Sequence, residues 1–254
     1  RHKGILHFLA RLCRGQSVVV PLKGRKATGV LLEPSSGATG DFKLKEFTSF
    51  SDNRPALPEP FLAWLEWLAR YYIHPLGQVI EAAFPPLSTP GRKRKSHKKP
   101  VSPPKEPSAR PRLTHEQNLV IDSIRATPGF AAHLVHGVTG SGKTEVYMHL
   151  LEEVMGRQQQ GIVLVPEISL TPQLIDRFTR RLGHDVVAVI HSHLTPRERT
   201  EQWWAMIKGE KQILIGARSA LFCPLARLGM VVVDEEHEAG YKQDEKLKYH
   251  ARDA

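Results

Sequence analysis

The hydrophobic rhythm of the chain changes near residue 113. Beyond that point short all-apolar runs alternate with amphipathic stretches, which predicts strands at 131–137, 161–166, 185–191, 212–216 and 229–234 and helices at 115–126, 143–156, 171–182 and 196–208. Runs as uniformly apolar as "MVVV" suit strands buried on both faces. The alternation therefore predicts an α/β fold: a parallel sheet with helices on both faces and ligand loops at the strand C-terminal ends. Earlier in the chain, "GQSVVVPLKGRKATGVLLE" gathers β-branched residues around a Gly/Lys turn and predicts a hairpin in a small β-rich domain. It is followed by "PEPFLAWLEWLARYYIHPLG", where Phe61, Leu62, Leu65, Leu68 and Ala69 fall at helical spacing. Trp64, Trp67, Tyr71 and Tyr72 in that stretch are read as helix-packing residues in preference to base-stacking platforms.

Charge sharpens this division. The net charge is +10, yet residues 91–112 carry nine Lys or Arg against one Glu, so +8 of it lies in one stretch that also holds five prolines. Such a segment cannot bury a core and reads as an extended linker, either a soluble tether or a strip that contacts nucleic-acid phosphates without sequence preference. The expected organisation is a β-rich domain at 1–88, a basic Pro-rich linker at 89–112 and an α/β lobe at 113–254. No apolar run approaches the ~20 residues that span a bilayer, so no membrane partner is expected. The basic start "RHKGILHFLARLC" has no small-residue cleavage site after a long apolar core. The two cysteines, Cys13 and Cys223, suggest a reducing compartment and a cytoplasmic protein. With no initiator Met and no closing signal after "YHARDA", the chain is expected to be a fragment at both ends.

The chemistry sits in "HGVTGSGKTEVY". Gly137, four residues, then Gly142, Lys143 and Thr144 form the phosphate-loop pattern, with Thr139, Gly140 and Ser141 completing the loop. Its glycines let consecutive N–H groups turn toward an anion. Lys143 is placed to reach the β and γ phosphates of ATP, and the Thr144 hydroxyl to ligate Mg²⁺, at the positive end of the following helix. A second constellation, "MVVVDEEH", puts Asp234 and Glu235 at the exit of an apolar strand. A carboxylate there can complete the Mg²⁺ shell while its neighbour polarises a water for attack on the γ phosphate.

Asp-Glu-x-His after a phosphate loop is the signature of helicase superfamily 2. Together with "LVPEISLTPQ" (164–173), "HSHL" (191–194), "IGARSALFCPLARLG" (215–229) and "VVVDEEHEAGYKQDEKLKYHARD" (231–253), it resembles the bacterial replication-restart helicases, the primosomal protein N′ (PriA) family. The resemblance runs from about Gly15 to the last residue and implies a RecA-like lobe preceded by a domain that binds DNA 3′ ends. It implies that Gln117 reads the adenine edge, that Asp234 holds the metal and that Glu235 is the general base. Pro166, Glu167, Thr171 and Gln173, and separately Arg218 and Ser219, would face a DNA strand. Tyr241, Lys242 and Tyr249 would belong to an aromatic-rich loop coupling DNA binding to ATP hydrolysis, and Gly24 and Lys45 would lie near the 3′-end pocket.

The implied activity is an ATP-dependent 3′→5′ DNA helicase that recognises stalled forks and initiates primosome assembly. Its implied partners are forked and single-stranded DNA, primosome proteins, single-stranded DNA-binding protein and the replicative helicase loader. Relatives also carry a winged-helix domain before the motor, a second lobe with its arginine finger, and a zinc-binding insertion in the C-terminal part. None is recognisable within these residues, so they are expected to hold half of a motor, inactive alone. Two other readings stay open: a non-catalytic fork-binding relative, and an unrelated P-loop ATPase such as a transporter subunit.

Overall fold

The computed structural model describes residues 13–22, 24–33, 47–50, 56–84 and 111–254. Contacts divide the chain into two units, one of residues 1–84 with 244–249 and 254, the other of residues 85–243 with 250–253.

In the first unit, strand β1 (Ser17–Leu22) pairs antiparallel with β2 (Arg25–Val30), in the register Ser17↔Val30 to Leu22↔Arg25. So tight a reversal needs backbone in the left-handed region, and Gly24 supplies it at φ +78°. A short β3 (Ser49–Phe50) pairs with the other edge of β1. Helix α1 (Glu59–Tyr71) buries Leu62, Leu65 and Leu68 completely, each removal from water contributing roughly 1.5–3 kcal/mol. Helix α2 (Leu76–Ala82) adds Val79 and Ile80. The packing expected of the α1 aromatics fails for two of them. Trp67 (40% exposed) and Tyr71 (60%) lie outside the Leu62–Leu65–Leu68 stripe and stack on one another one turn apart, ring centroids 4.9 Å.

The second unit holds helices α3 (His115–Arg125) and α4 (Lys143–Gly156), then β4 (Gln160–Leu164), α5 (Pro172–Leu182), β5 (Val187–Ile190), α6 (Pro196–Ile207), β6 (Ile213–Gly216) and β7 (Leu228–Val233). The four strands form one parallel sheet in the order β5-β6-β4-β7. Met148 and Leu151 of α4 and Phe178 and Leu182 of α5 share a core cluster with Val163, Val187, Ile213 and Ile215. Ile162 and Leu164, alternate to Val163 in β4, are as deeply buried, so the centre of the sheet is covered on both faces, whereas the "MVVV" run, expected to be buried on both, lies in the edge strand β7 with Val231 44% exposed. Two helices start from capping boxes, Thr114 with Gln117 and Thr195 with Glu198, and Thr171 caps a third.

One expected element is absent. Residues 131–137 form no strand, and Phe130, Leu134 and Val138 are 99%, 77% and 78% exposed. The stretch "AAHLVHG" carries only Leu134 and Val135 as good strand formers among Ala, His and Gly, too little to hold a ladder. The α/β architecture stands on the other four strands.

Candidate functional site

The loop after Gly137 enters α4 through two left-handed residues, Gly140 at φ +83° and Gly142 at φ +82°. Gly142, at positive φ and with Gln117 Nε2 2.3 Å from where a Cβ would stand, requires glycine, whereas a Cβ on Gly137 would meet Ser141 Oγ at 2.7 Å and displace that side chain. Lys143 folds back over the loop and donates from Nζ to the carbonyls of Gly137 (2.6 Å) and Val138 (3.1 Å). Its ammonium therefore sits over the loop that would cradle an anion. Gln117 is tied at both ends of its amide. Its Oε1 accepts from the Thr114 backbone N–H (2.9 Å), and its Nε2 donates to the Ser141 carbonyl (3.1 Å).

The strand exits bring the second half of the site to this loop. Asp234 leaves β7 with its N–H bonded to the Leu164 carbonyl at the end of β4. Its Oδ1 accepts from the Glu235 N–H at 3.1 Å, and its Oδ2 accepts from the Tyr147 hydroxyl at 3.0 Å. Tyr147 lies on α4 one turn beyond Thr144, and burial first of all holds its phenol protonated. Glu235 is held at φ +48°, a conformation costing a residue with a Cβ roughly 1–2 kcal/mol, and accepts from Ser169 Oγ at 3.3 Å. Thr144 and Asp234 are hard oxygen donors of the kind Mg²⁺ takes. Among the described residues no group of three or more His, Cys, Asp or Glu side chains could hold a metal unaided. A Mg²⁺ here would thus need nucleotide phosphate and water to complete its shell.

The residues assigned to DNA by resemblance divide. Glu167, Gln173, Ser219 and Lys242 are exposed, and Arg218 is partly exposed. Pro166 is buried, while the Thr171 hydroxyl accepts from the Leu174 N–H as the cap of α5. Arg218 donates from Nη1 to the carbonyls of Gly240 (3.0 Å) and Lys242 (2.6 Å), bracing the turn that holds Tyr241. Tyr241 is 1% exposed and its hydroxyl lies 2.6 Å from the Asp234 carbonyl, so its ring offers no face to a base in this conformation. Tyr249 is also buried. Gly24 occupies the hairpin turn with open space around it, whereas Lys45 and residues 91–110 of the basic linker lie outside the described residues.

A sequence profile described as DEAD/DEAH box helicase matches residues 114–254, which takes in Gln117, the loop and both carboxylates. The chain belongs to this helicase family. A second profile, described as the 3′DNA-binding domain (3′BD), matches residues 6–85. Among curated relatives, the replication restart protein PriA of Bacillus subtilis is 48% identical over 144 residues, covering 56% of this chain and 18% of its own length. The namesake from Treponema pallidum is 37% identical over 94% of this chain and 36% of the relative, and that from Chlamydia pneumoniae 30% identical over 98% and 44%. The chain thus spans less than half the length of these relatives.

Within this helicase lobe, the reading of the residues missed Tyr147 and the charges behind it. Glu145, next to Thr144, turns away from the loop into a buried cluster, its Oε1 2.9 Å from Arg181 Nη2 though without hydrogen-bond alignment. Arg181 also donates from Nε to Glu152 at 2.8 Å. The signal was present in "KTEVYMHLLEE", where Glu145 and Glu152 are two turns apart on α4 and Tyr147 lies three residues from Thr144. Their partners, 29 or more residues away, were not legible. No helix among the described residues is long and apolar enough to cross a membrane.

Proposed function

We propose that this chain supplies the ATP-binding lobe and a 3′-end-binding domain of an ATP-driven 3′→5′ DNA helicase that recognises stalled forks and reloads the replication machinery. The observation that carries the reading is the hydrogen bond by which the Tyr147 hydroxyl ties Asp234, at the exit of β7, to α4, the helix whose first residues are Lys143 and Thr144. In this reading the loop N–H groups and Lys143 bind the phosphates, Thr144 and Asp234 hold Mg²⁺, and Glu235 accepts a proton from the attacking water. The metal, when bound, supplies charge neutralisation between the β and γ phosphates. Gln117 meets the adenine edge by exchanging one of its present partners. The exposed Glu167, Gln173, Ser219 and Lys242 contact the DNA strand, and Gly24 and Lys45 border the 3′-end pocket. The basic segment at 91–112 adds phosphate contacts. In the cytoplasm the partners are forked and single-stranded DNA, primosome proteins, single-stranded DNA-binding protein and the helicase loader, and zinc binding belongs to a C-terminal region outside these residues.

Calorimetric titration of the 254-residue chain with MgADP tests the reading. Lys143→Ala removes a charge-assisted contact and weakens binding by about 1.5–3 kcal/mol. Equal affinity in the two proteins would reject the nucleotide site. In a parallel titration with DNA, deleting residues 91–112 flattens the slope of log affinity against log salt, by about 0.9 per lost duplex phosphate contact. An unchanged slope would remove the linker from the DNA contacts.

A further inference from the structure

We propose that Tyr147 is a positioning residue for the metal site, holding the Asp234 carboxylate in the one arrangement that can receive a divalent cation. The proposal rests on the nucleotide-site reading above. A carboxylate receives a cation best when hydrogen bonds from groups outside the metal shell already fix its plane. The Tyr147 hydroxyl donates to Asp234 Oδ2 at 3.0 Å, from the same helix that carries Thr144 one turn earlier. Asp234 Oδ1 already accepts from the Glu235 N–H, so the carboxylate is held by one bond on each oxygen, its plane set by groups from α4 and from its own strand exit.

The ring that carries this hydroxyl is itself held. It is 8% exposed and lies against Phe178 of α5 with centroids 6.0 Å apart and planes 18° from parallel. Tyr147 therefore cannot swing away without disturbing the sheet-facing core, where it belongs to the same cluster as Met148, Val163 and Phe178. Removing only the hydroxyl leaves that packing intact and takes from Asp234 the bond that fixes Oδ2. That change touches neither the loop N–H groups nor Lys143. The loss falls on the cation alone.

The test is Tyr147→Phe in the 254-residue chain, with ADP affinity measured by calorimetry in Mg²⁺ and again in EDTA. Wild type binds ADP more tightly in Mg²⁺ than in EDTA. In Tyr147→Phe the EDTA affinity is unchanged and the Mg²⁺ affinity falls about tenfold, the magnitude of one hydrogen bond to a charged group. In an Asp234→Asn background the same substitution has no further effect on the Mg²⁺ arm. Loss of affinity in both arms would make Tyr147 a general structural member and overturn the proposal, as would an unchanged ratio between the arms. Lys143→Ala separates this from the underlying reading: wild type indifferent to that substitution would sink the nucleotide site itself, whereas a Lys143-dependent site with unaltered Mg²⁺ dependence in Tyr147→Phe would sink only the role given to the tyrosine.

Discussion

The Tyr241 hydroxyl meets the main-chain carbonyl of Asp234 at 2.6 Å and lies 3.0 Å from that of Leu164, so one buried side chain ties together the tips of β7 and β4 where the carboxylate leaves the sheet. One proton can serve only one carbonyl at a time, and the Leu164 oxygen already accepts the Asp234 N–H. The Asp234 carbonyl is therefore the acceptor that depends on Tyr241.

Tyr241→Phe keeps the ring in its cavity and strands that carbonyl. It is expected to lower stability by about 1 kcal/mol, and Tyr241→Ala by about 3–5 kcal/mol, read from urea midpoints. A stacking residue facing a DNA strand would show neither loss. Unchanged midpoints in both variants would return Tyr241 to the surface role implied by resemblance.

Gln117 closes the capping box of α3 and holds the Ser141 carbonyl of the phosphate loop. Gln117→Ala removes both ties and is expected to lower stability by about 1 kcal/mol without nucleotide. The proposed adenine contact adds a second outcome, loss of the preference for ADP over GDP. A variant that keeps full stability while losing base preference would show that the glutamine serves only the nucleotide.

Arg181 (7% exposed side chain) faces Glu145 (9%) and Glu152 (20%) between α4 and α5. Breaking a buried pair from one side leaves an uncompensated charge, so Arg181→Met is expected to destabilise by about 3–5 kcal/mol. Adding Glu145→Leu should recover part of that loss. If the double variant is no more stable than Arg181→Met, Glu145 is not paying for its isolation and the pairing is not what holds α5 against α4.

His191, at the end of β5, titrates below its ordinary value of 6.5, because burial and then the neighbouring His193 and Arg199 disfavour its charged form, against opposing pulls from Glu167 and Glu198. The unfolded chain then binds its proton first as pH falls. Stability contributed by neutral His191 is therefore complete above pH 6.5 and is lost as pH drops from 6.5 toward the lowered folded value. His191→Asn keeps an acceptor for the His193 N–H and should show a shallower acid loss in urea midpoints between pH 5 and 8. Parallel pH profiles for the two proteins would remove His191 from the account.

What the sequence determined by itself is the part written in local spacing. The helices from Thr114, Thr171 and Thr195 start where a side chain caps a backbone N–H three residues on. The loop from Gly137 to Thr144 and the apolar strand leading to Asp234 are equally local, since backbone conformation and strand propensity are written in neighbouring residues, although that strand is only partly covered. The tertiary structure decided what those marks cannot encode. It left 131–137 outside the sheet, because marginal strand formers join a ladder only where a partner edge repays their ordering. It sent Tyr241 into the core and turned Arg218 to carbonyls 22 and 24 residues away. It brought Tyr147 to Asp234 across 87 residues. Such pairings depend on which strand tip ends beside which helix, a matter of chain topology that leaves no periodic trace in either segment.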